Sequence, residues 1–151
     1  MIDDYHEWPA YKFYNKYHSN NINRLIHILC IPMISWSICV MLPFYYSLGL
    51  MLFYAGLYTY IFTYEIRNTT INETIAVNIH LMIIWLSAIL FKMYYENYML
   101  IAGLVFVMSW IFQFIGHYFF EGNRPALFDS LYQSFAMAPL FTFFEITSFF
   151  E

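Results

Sequence analysis

The feature that most restricts how this chain can fold is the absence of charged side chains between Arg24 and Glu65, an interval of 40 residues. A continuous helix of that length would extend about 60 Å, roughly twice the thickness of a hydrocarbon core. The chain must therefore turn back once within the interval, and we expect the turn between Pro43 and Gly49. Charged residues make up 11% of the chain, against about 25% in a soluble domain. These features predict an integral membrane protein.

Three further charge-free intervals follow, over 74–91, 97–120 and 130–144. The first two suit one crossing each, because a membrane-spanning helix needs about 20 apolar residues, while the third is marginal. We predict four transmembrane helices, over 24–42, 47–64, 74–91 and 99–120. A fifth apolar helix, over 130–150, either crosses the membrane or re-enters it.

Residues 1–23 combine many aromatic side chains with interspersed lysines, a composition typical of the headgroup layer. The chain contains no internal repeat and no linker. The sequence therefore predicts an all-α fold, a polytopic helical bundle that forms a single membrane domain over 1–151. In this prediction, residues 1–23 are an interfacial segment and residues 24–150 form the bundle.

The basic residues predict the orientation of the bundle. Four crossings place five of them on one side of the membrane: Lys12, Lys16, Arg24, Arg67 and Arg124. Lys92 alone lies on the other side. Because short cytosolic loops are enriched in Lys and Arg, we expect a cytosolic N-terminus, or a matrix location if the membrane is the mitochondrial inner membrane.

The net charge argues against nucleic-acid binding, and the cysteine spacing excludes a disulfide bond between the two cysteines. The net charge of −4 is spread along the chain, so we expect a lipid bilayer and no nucleic acid as partner. Cys30 and Cys39 fall on one predicted helix, about 13 Å apart along its axis. These two thiols cannot bond to each other, because disulfide-linked Cα atoms lie within about 7 Å.

A column of polar residues ends the fourth predicted helix. Gln113, His117 and Glu121 are spaced four residues apart, so they share one helical face. Glycine at position 122 permits a left-handed cap, and Pro125 prevents continuation of the helix. Polar side chains at membrane depth are costly and usually functional.

Three more histidines lie on the same side of the predicted topology as His117, although only Lys and Arg were used to build it. His18 and His27 bracket the start of the first helix, and His80 lies about 10 Å past the charged start of the third. Imidazoles with Glu121 as a carboxylate partner could bind a divalent ion, and such ligands suit non-haem iron and also zinc. Hydrogen-bonded interfacial histidines, a Glu121–Arg124 salt bridge and a helix–helix hydrogen bond by His80 are the alternatives.

The chain resembles a family of small membrane proteins typified by the fungal 2-hydroxy fatty acid dioxygenase of phytosphingosine degradation. The resemblance covers about 10–32 and 108–146, and its motifs are Tyr17-His18-x4-Asn23-x3-His27, Trp110-x2-Gln113-Phe-Ile-Gly-His117-x3-Glu121-x3-Pro125-Ala-Leu127 and Pro139-x5-Glu145. It implies an Fe(2+)-dependent enzyme of the endoplasmic reticulum that uses O₂ to shorten a 2-hydroxy long-chain fatty acid by one carbon. It also implies metal ligands at His18, His27 and His117, with Glu121 and Glu145 as the matching acids.

The chemistry of a 2-hydroxy acid fits these residues. Its carboxylate and adjacent hydroxyl can chelate a metal, while its acyl chain lies between apolar helices. Glu121 and Gln113 are candidate catalytic residues, since Gln113 could orient the His117 ring. Two residues are candidates for additional ligation or for support of the ligands: His80 and Glu145. Three basic residues are candidates for binding the substrate carboxylate: Lys16, Arg24 and Arg124.

Two other functions remain open from the sequence. A zinc-dependent lipid hydrolase could use the same histidines to activate water. Alternatively, the chain could be a non-catalytic structural subunit of a membrane protein assembly, as an oligomer or within a larger complex. Metal content and O₂ consumption separate these functions from the iron enzyme.

Overall fold

The computed structural model describes residues 4–66 and 69–149, and over these residues it contains helices and no strand. A short 3₁₀ turn at Asp4–Glu7 precedes six α-helices. They are α1 (Pro9–Asn15), α2 (Asn21–Met41), α3 (Phe44–Tyr64), α4 (Ile71–Tyr94), α5 (Tyr98–Ile115) and α6 (Ala138–Phe149). The prediction of an all-α helical bundle is confirmed. Arg67, which contributed to the predicted orientation, lies outside the described residues.

Within the described part of the chain, three helices are long and apolar enough to cross a membrane: Asn21–Met41, Ile71–Tyr94 and Tyr98–Glu121, the last formed by α5 and the π-helical turn that continues it. The other predicted crossing, α3, has 21 residues and no charge, but six of those residues are tyrosines, which reduce its apolar character. The C-terminal α6 has 12 residues and extends about 18 Å, less than the hydrocarbon thickness.

Local side-chain contacts explain why two helices begin earlier than predicted. Asn20 caps α2, because its side chain accepts a hydrogen bond from the Ile22 backbone N–H at 2.9 Å. Glu73 accepts a hydrogen bond from the Thr70 backbone N–H at 2.6 Å, so α4 starts at Ile71. The charged residues Arg24 and Glu73 therefore lie within the first turns of α2 and α4.

The central helix of the bundle is α2, which packs against α5, α4 and α6. One buried cluster joins the N-terminal segment to α3, α4 and α6, and a second lies at the C-terminal end of α2. In the first cluster, the Tyr5 ring stacks on Phe144 with ring centroids 4.5 Å apart. The N-terminal segment therefore buries one aromatic face in the protein core, a packing that the sequence analysis did not anticipate.

A buried ion pair connects α1, α2 and α6. The Arg24 guanidinium donates hydrogen bonds to the Glu145 carboxylate, which is almost fully buried. The Tyr11 hydroxyl donates to the other carboxylate oxygen at 2.7 Å. Burial and the adjacent carboxylate raise the pKa of Tyr11, which keeps the hydroxyl protonated as a donor.

We expect Glu145→Leu to lower the free energy of unfolding by about 2 kcal/mol, because it leaves Arg24 partly buried without its partner. This is less than for a fully buried pair, since a third of the Arg24 side chain is exposed. Denaturation in detergent measures the change. Glu7→Leu is the control, since Glu7 and Lys12 form an exposed pair, worth at most about 1 kcal/mol. Equal losses in the two variants would contradict a structural role for the buried pair.

Candidate metal centre

The structure brings His18, His27 and His117 together at one end of the bundle. His18 lies in the turn between α1 and α2, His27 in the second turn of α2, and His117 in the turn that follows α5. Their ring centroids are 4.3, 4.9 and 4.9 Å apart. All three side chains are buried, and one potential ligand atom from each lies within 4.8 Å of the others.

Backbone carbonyl groups orient two of the rings. His18 Nδ1 lies 2.9 Å from the Tyr14 carbonyl oxygen, and His27 Nδ1 lies 2.9 Å from the Asn23 carbonyl oxygen. A carbonyl only accepts, so each Nδ1 carries the proton and each Nε2 keeps its lone pair. The Tyr14 ring also stacks on His18 with centroids 4.0 Å apart. These contacts fix both the tautomer and the direction of the free nitrogen.

The free nitrogen atoms fit a divalent metal ion. His18 Nε2 and His117 Nδ1 are both buried without a hydrogen-bond partner. Burial, aided by the two neighbouring histidines, lowers the pKa of His18 well below its ordinary value, so this imidazole is neutral. Metal–nitrogen bonds are about 2.1 Å long, so one ion reaches nitrogens up to about 4 Å apart, and the three ligand atoms, which lie within 4.8 Å of one another, need to close only slightly to share it. Three neutral histidine ligands leave open coordination positions, as in catalytic metal sites.

Helix α5 continues into a π-helical turn over Gly116–Glu121 that carries His117, so the helix predicted over 99–120 is present but widens at its end. Such turns often occur at functional sites. Gly116 lies against Asn23 of α2, and a Cβ at this position would overlap the Asn23 Oδ1 atom. Glycine is therefore required for His117 to approach α2. Gly122 ends the turn with φ of 65°, the left-handed cap that the sequence predicted.

The Glu121 carboxylate binds the start of α2 instead of joining the group of potential metal ligands. It accepts hydrogen bonds from Ser19 Oγ at 2.8 Å, from the Asn20 backbone N–H at 2.7 Å and from Asn23 Nδ2 at 3.2 Å. It thereby connects the π-helix to the turn that carries His18. Arg124 pairs with Asp129 at 2.5 Å, so the structure contains no Glu121–Arg124 salt bridge.

Several other residues singled out in the sequence lie outside the group of potential metal ligands. Glu145 pairs with Arg24, the His80 ring lies 5.8 Å from that of Phe143, and Lys16 is exposed. Among the described residues, the group that could hold an ion contains neither Cys30 nor a carboxylate. The roles assigned to these residues stay predictions.

Gln113 lies in a cavity with the three histidines. Its side chain is buried, and its Nε2 atom has no hydrogen-bond partner. The cavity has a free volume of about 100 Å³. Apolar side chains form most of its remaining wall, among them Ile31, Ile34, Trp110 and Phe141. The arrangement can bind a ligand with a polar head and an apolar body.

Sequence reasoning missed Tyr14, Gly116 and the full role of Asn23. Tyr14 and Asn23 each precede a site histidine by four residues, the spacing at which a backbone carbonyl meets a side chain one turn later. In the sequence, Asn23 appeared only as part of a motif. The glycine beside His117 was the available signal of close backbone approach.

Fold and site together define a membrane protein of the helical-bundle class with a buried three-histidine centre. The family model described as 2-hydroxy-palmitic acid dioxygenase Mpo1-like matches residues 4–150. The 2-hydroxy-palmitic acid dioxygenase MPO1 of Saccharomyces cerevisiae is 35% identical over 136 residues, which cover 88% of this chain and 75% of the yeast protein. No solved structure matches the chain. This chain belongs to the Mpo1-like family.

We expect Gly116→Ala to weaken metal binding about 10-fold to 100-fold, the usual effect of disturbing groups that position ligands. The new methyl group must displace Asn23 or move the π-helix away from α2. Titration of the purified protein with Fe(II) or Zn(II) measures the change. Gly103→Ala on α5 is the matched control, because its Cβ meets nothing within 4 Å. Similar affinities in the two variants would contradict the close approach at Gly116.

Proposed function

We propose that this protein is an Fe(II)-dependent dioxygenase that shortens 2-hydroxy long-chain fatty acids by one carbon. The observation that carries the proposal is the buried cluster of three imidazoles beside an apolar cavity. The activity for which the yeast relative is named supports the substrate class. The stoichiometry balances without a further reductant, since a 2-hydroxy acid and O₂ give an acid one carbon shorter, CO₂ and water.

The three histidines would hold the ion. Bound iron(II) supplies a Lewis-acidic, redox-active centre for the 2-hydroxy acid and O₂. The carbonyl groups of Tyr14 and Asn23 hold the His18 and His27 rings in the tautomer that presents Nε2 to the cavity. Three neutral ligands add no negative charge, so this centre favours an anionic substrate head.

Gln113 is the residue we assign to the substrate head. Its buried amide Nε2 is an unused donor in the same cavity as the histidines. A carboxylate or hydroxyl oxygen of the substrate would satisfy it, which would fix the head beside the ion. The apolar cavity wall excludes water around the head.

Glu121 acts in this proposal as a positioning residue, because its carboxylate is engaged by the turn that carries His18. The exposed Lys16 and Arg124 attract the anionic substrate over a distance, while Glu145 neutralises Arg24. His80 and Glu145 support the packing of α4 and α6. We place the enzyme in the endoplasmic reticulum membrane, as the family resemblance implies, with a cytosolic N-terminus, from the distribution of basic residues.

We expect His27→Ala to abolish stoichiometric iron binding and to reduce O₂ consumption with 2-hydroxyhexadecanoate at least about 100-fold. Elemental analysis, an oxygen electrode and mass spectrometry of the shortened acid provide the readouts. The control is His80→Ala, since His80 lies outside the group of potential ligands. Full turnover by His27→Ala would refute the metal mechanism. Stoichiometric zinc with hydrolysis of a lipid ester or amide would favour the hydrolase instead.

A further inference from the structure

A second cavity lies farther along α2 than the one that holds the histidines. Its wall includes Cys39 near the end of α2, Met51 of α3 and Trp85 of α4. Four residues line both cavities: Ser35, Ile38, Tyr54 and Pro139. The two spaces are therefore neighbours with a common wall, and together they follow α2 from its second turn to its last.

Tyr54 is held at the junction of the two cavities. Its hydroxyl donates a hydrogen bond to the Phe135 carbonyl oxygen at 2.8 Å, which anchors α3 to the segment before α6. The phenol oxygen is thereby satisfied, and its ring lines both spaces. Beyond this point the distal lining is almost wholly apolar, with Leu50, Leu81 and Ile84 among its residues.

Packed side chains lie at the far end of the second cavity. Trp85 donates a hydrogen bond to the buried Ser47 hydroxyl at 3.2 Å, which fixes the indole at this end. Trp85 also packs against the core cluster of Cys39, Val40, Ala88 and Ala102. The buried core of the bundle consists of two clusters. The two cavities lie along α2, between the histidines and the second of these clusters.

The length of this path can be compared with an alkyl chain. His27 and Cys39 are twelve residues apart on α2, which corresponds to about 18 Å at 1.5 Å per residue. An extended chain of tetrahedral carbons advances about 1.2 Å per bond, judged from an extended polypeptide that advances about 3.5 Å over three bonds. The path therefore accommodates about 15 carbon–carbon bonds.

We propose that the two cavities form one tunnel for the acyl chain of the substrate, and that the distal wall at Met51 and Trp85 sets the longest chain accepted. This inference rests on the proposed function, because the substrate head is placed at the histidines. Chains of up to about sixteen carbons fit with the head at the metal centre, and longer chains meet the packed core cluster. The tunnel runs beside α2 and parallel to it.

The test fills the distal cavity without touching the metal centre. Met51→Trp adds bulk to the distal wall, whereas Leu52→Trp, one residue on, is the matched control, because Leu52 is 57% exposed on the outer surface of α3. Each methylene excluded from an apolar site costs about fourfold in affinity. We expect Met51→Trp to lower the ratio of kcat/KM for 2-hydroxyhexadecanoate to that for 2-hydroxydecanoate at least tenfold, while Leu52→Trp leaves the ratio unchanged.

Met51→Ala supplies a test in the opposite direction that does not depend on tolerance of a larger side chain. We expect it to raise the relative kcat/KM for 2-hydroxyoctadecanoate, because the distal wall recedes. If both tryptophan variants change kcat/KM for every chain length by the same factor, and Met51→Ala changes kcat/KM selectively for none, the tunnel is refuted although the enzymatic function stands.

Calorimetric binding of the same acids to the metal-loaded protein, without O₂, separates this inference from the proposed function. Selective loss of 2-hydroxyhexadecanoate binding in Met51→Trp, in a protein that oxidises no 2-hydroxy acid, would support the tunnel and refute the dioxygenase. Oxidation of all the acids without chain-length selectivity in binding would do the reverse. Failure of the wild-type protein to bind or oxidise any of them would overturn both.

Discussion

The geometry of the candidate site depends on the close contact between Asn23 of α2 and Gly116 of the π-helix. Asn23 is fully buried, and its side chain lies where a Cβ at position 116 would be. Its backbone carbonyl orients His27, while its amide donates to Glu121 and to the Tyr17 carbonyl oxygen at 3.3 Å. One side chain therefore links the elements that carry all three histidines. Because the Asn23 side chain lies directly against the Gly116 backbone, it helps to set the separation of the two helices.

The same arrangement leaves polar atoms buried without partners. His18 Nε2, His117 Nδ1 and Gln113 Nε2 all lack hydrogen bonds, and each such group costs about 1–3 kcal/mol of stability. Surrounding contacts offset this loss of stability. They include the stack of Tyr14 on His18 and the ion pair of Arg24 with Glu145. Helices that hold these atoms in place before a ligand arrives need little rearrangement to bind it. This preorganisation is usual for metal and substrate sites.

Charge-free intervals and basic residues were enough to predict the four long helices and to place His18, His27 and His117 at one end of the bundle, because they set how deep each residue lies. They do not set which way a side chain points or which of several donors it meets. Glu121 had Arg124 three residues away, yet its carboxylate meets Ser19 and the Asn20 backbone, which are distant in sequence. The π-helix was also hidden, since a single wider turn leaves the hydrophobic pattern almost unchanged. The extent of N-terminal burial depends on α6, whose packing against Tyr5 and Tyr11 is a tertiary property.

The placement of the acids bears on which substrates suit the site. Glu121 and Glu145 are the acids closest to the histidines in the motifs, and both are engaged by donors elsewhere. A divalent ion on three neutral imidazoles would then keep its full positive charge in a buried, largely apolar setting, where uncompensated charge is expensive. A substrate carboxylate would compensate it, whereas a neutral ester or amide would not. The adjoining apolar path along α2 suits an alkyl tail attached to that head. Neutral ligands at one end and an apolar tunnel beyond them therefore favour a long-chain acid over a neutral lipid.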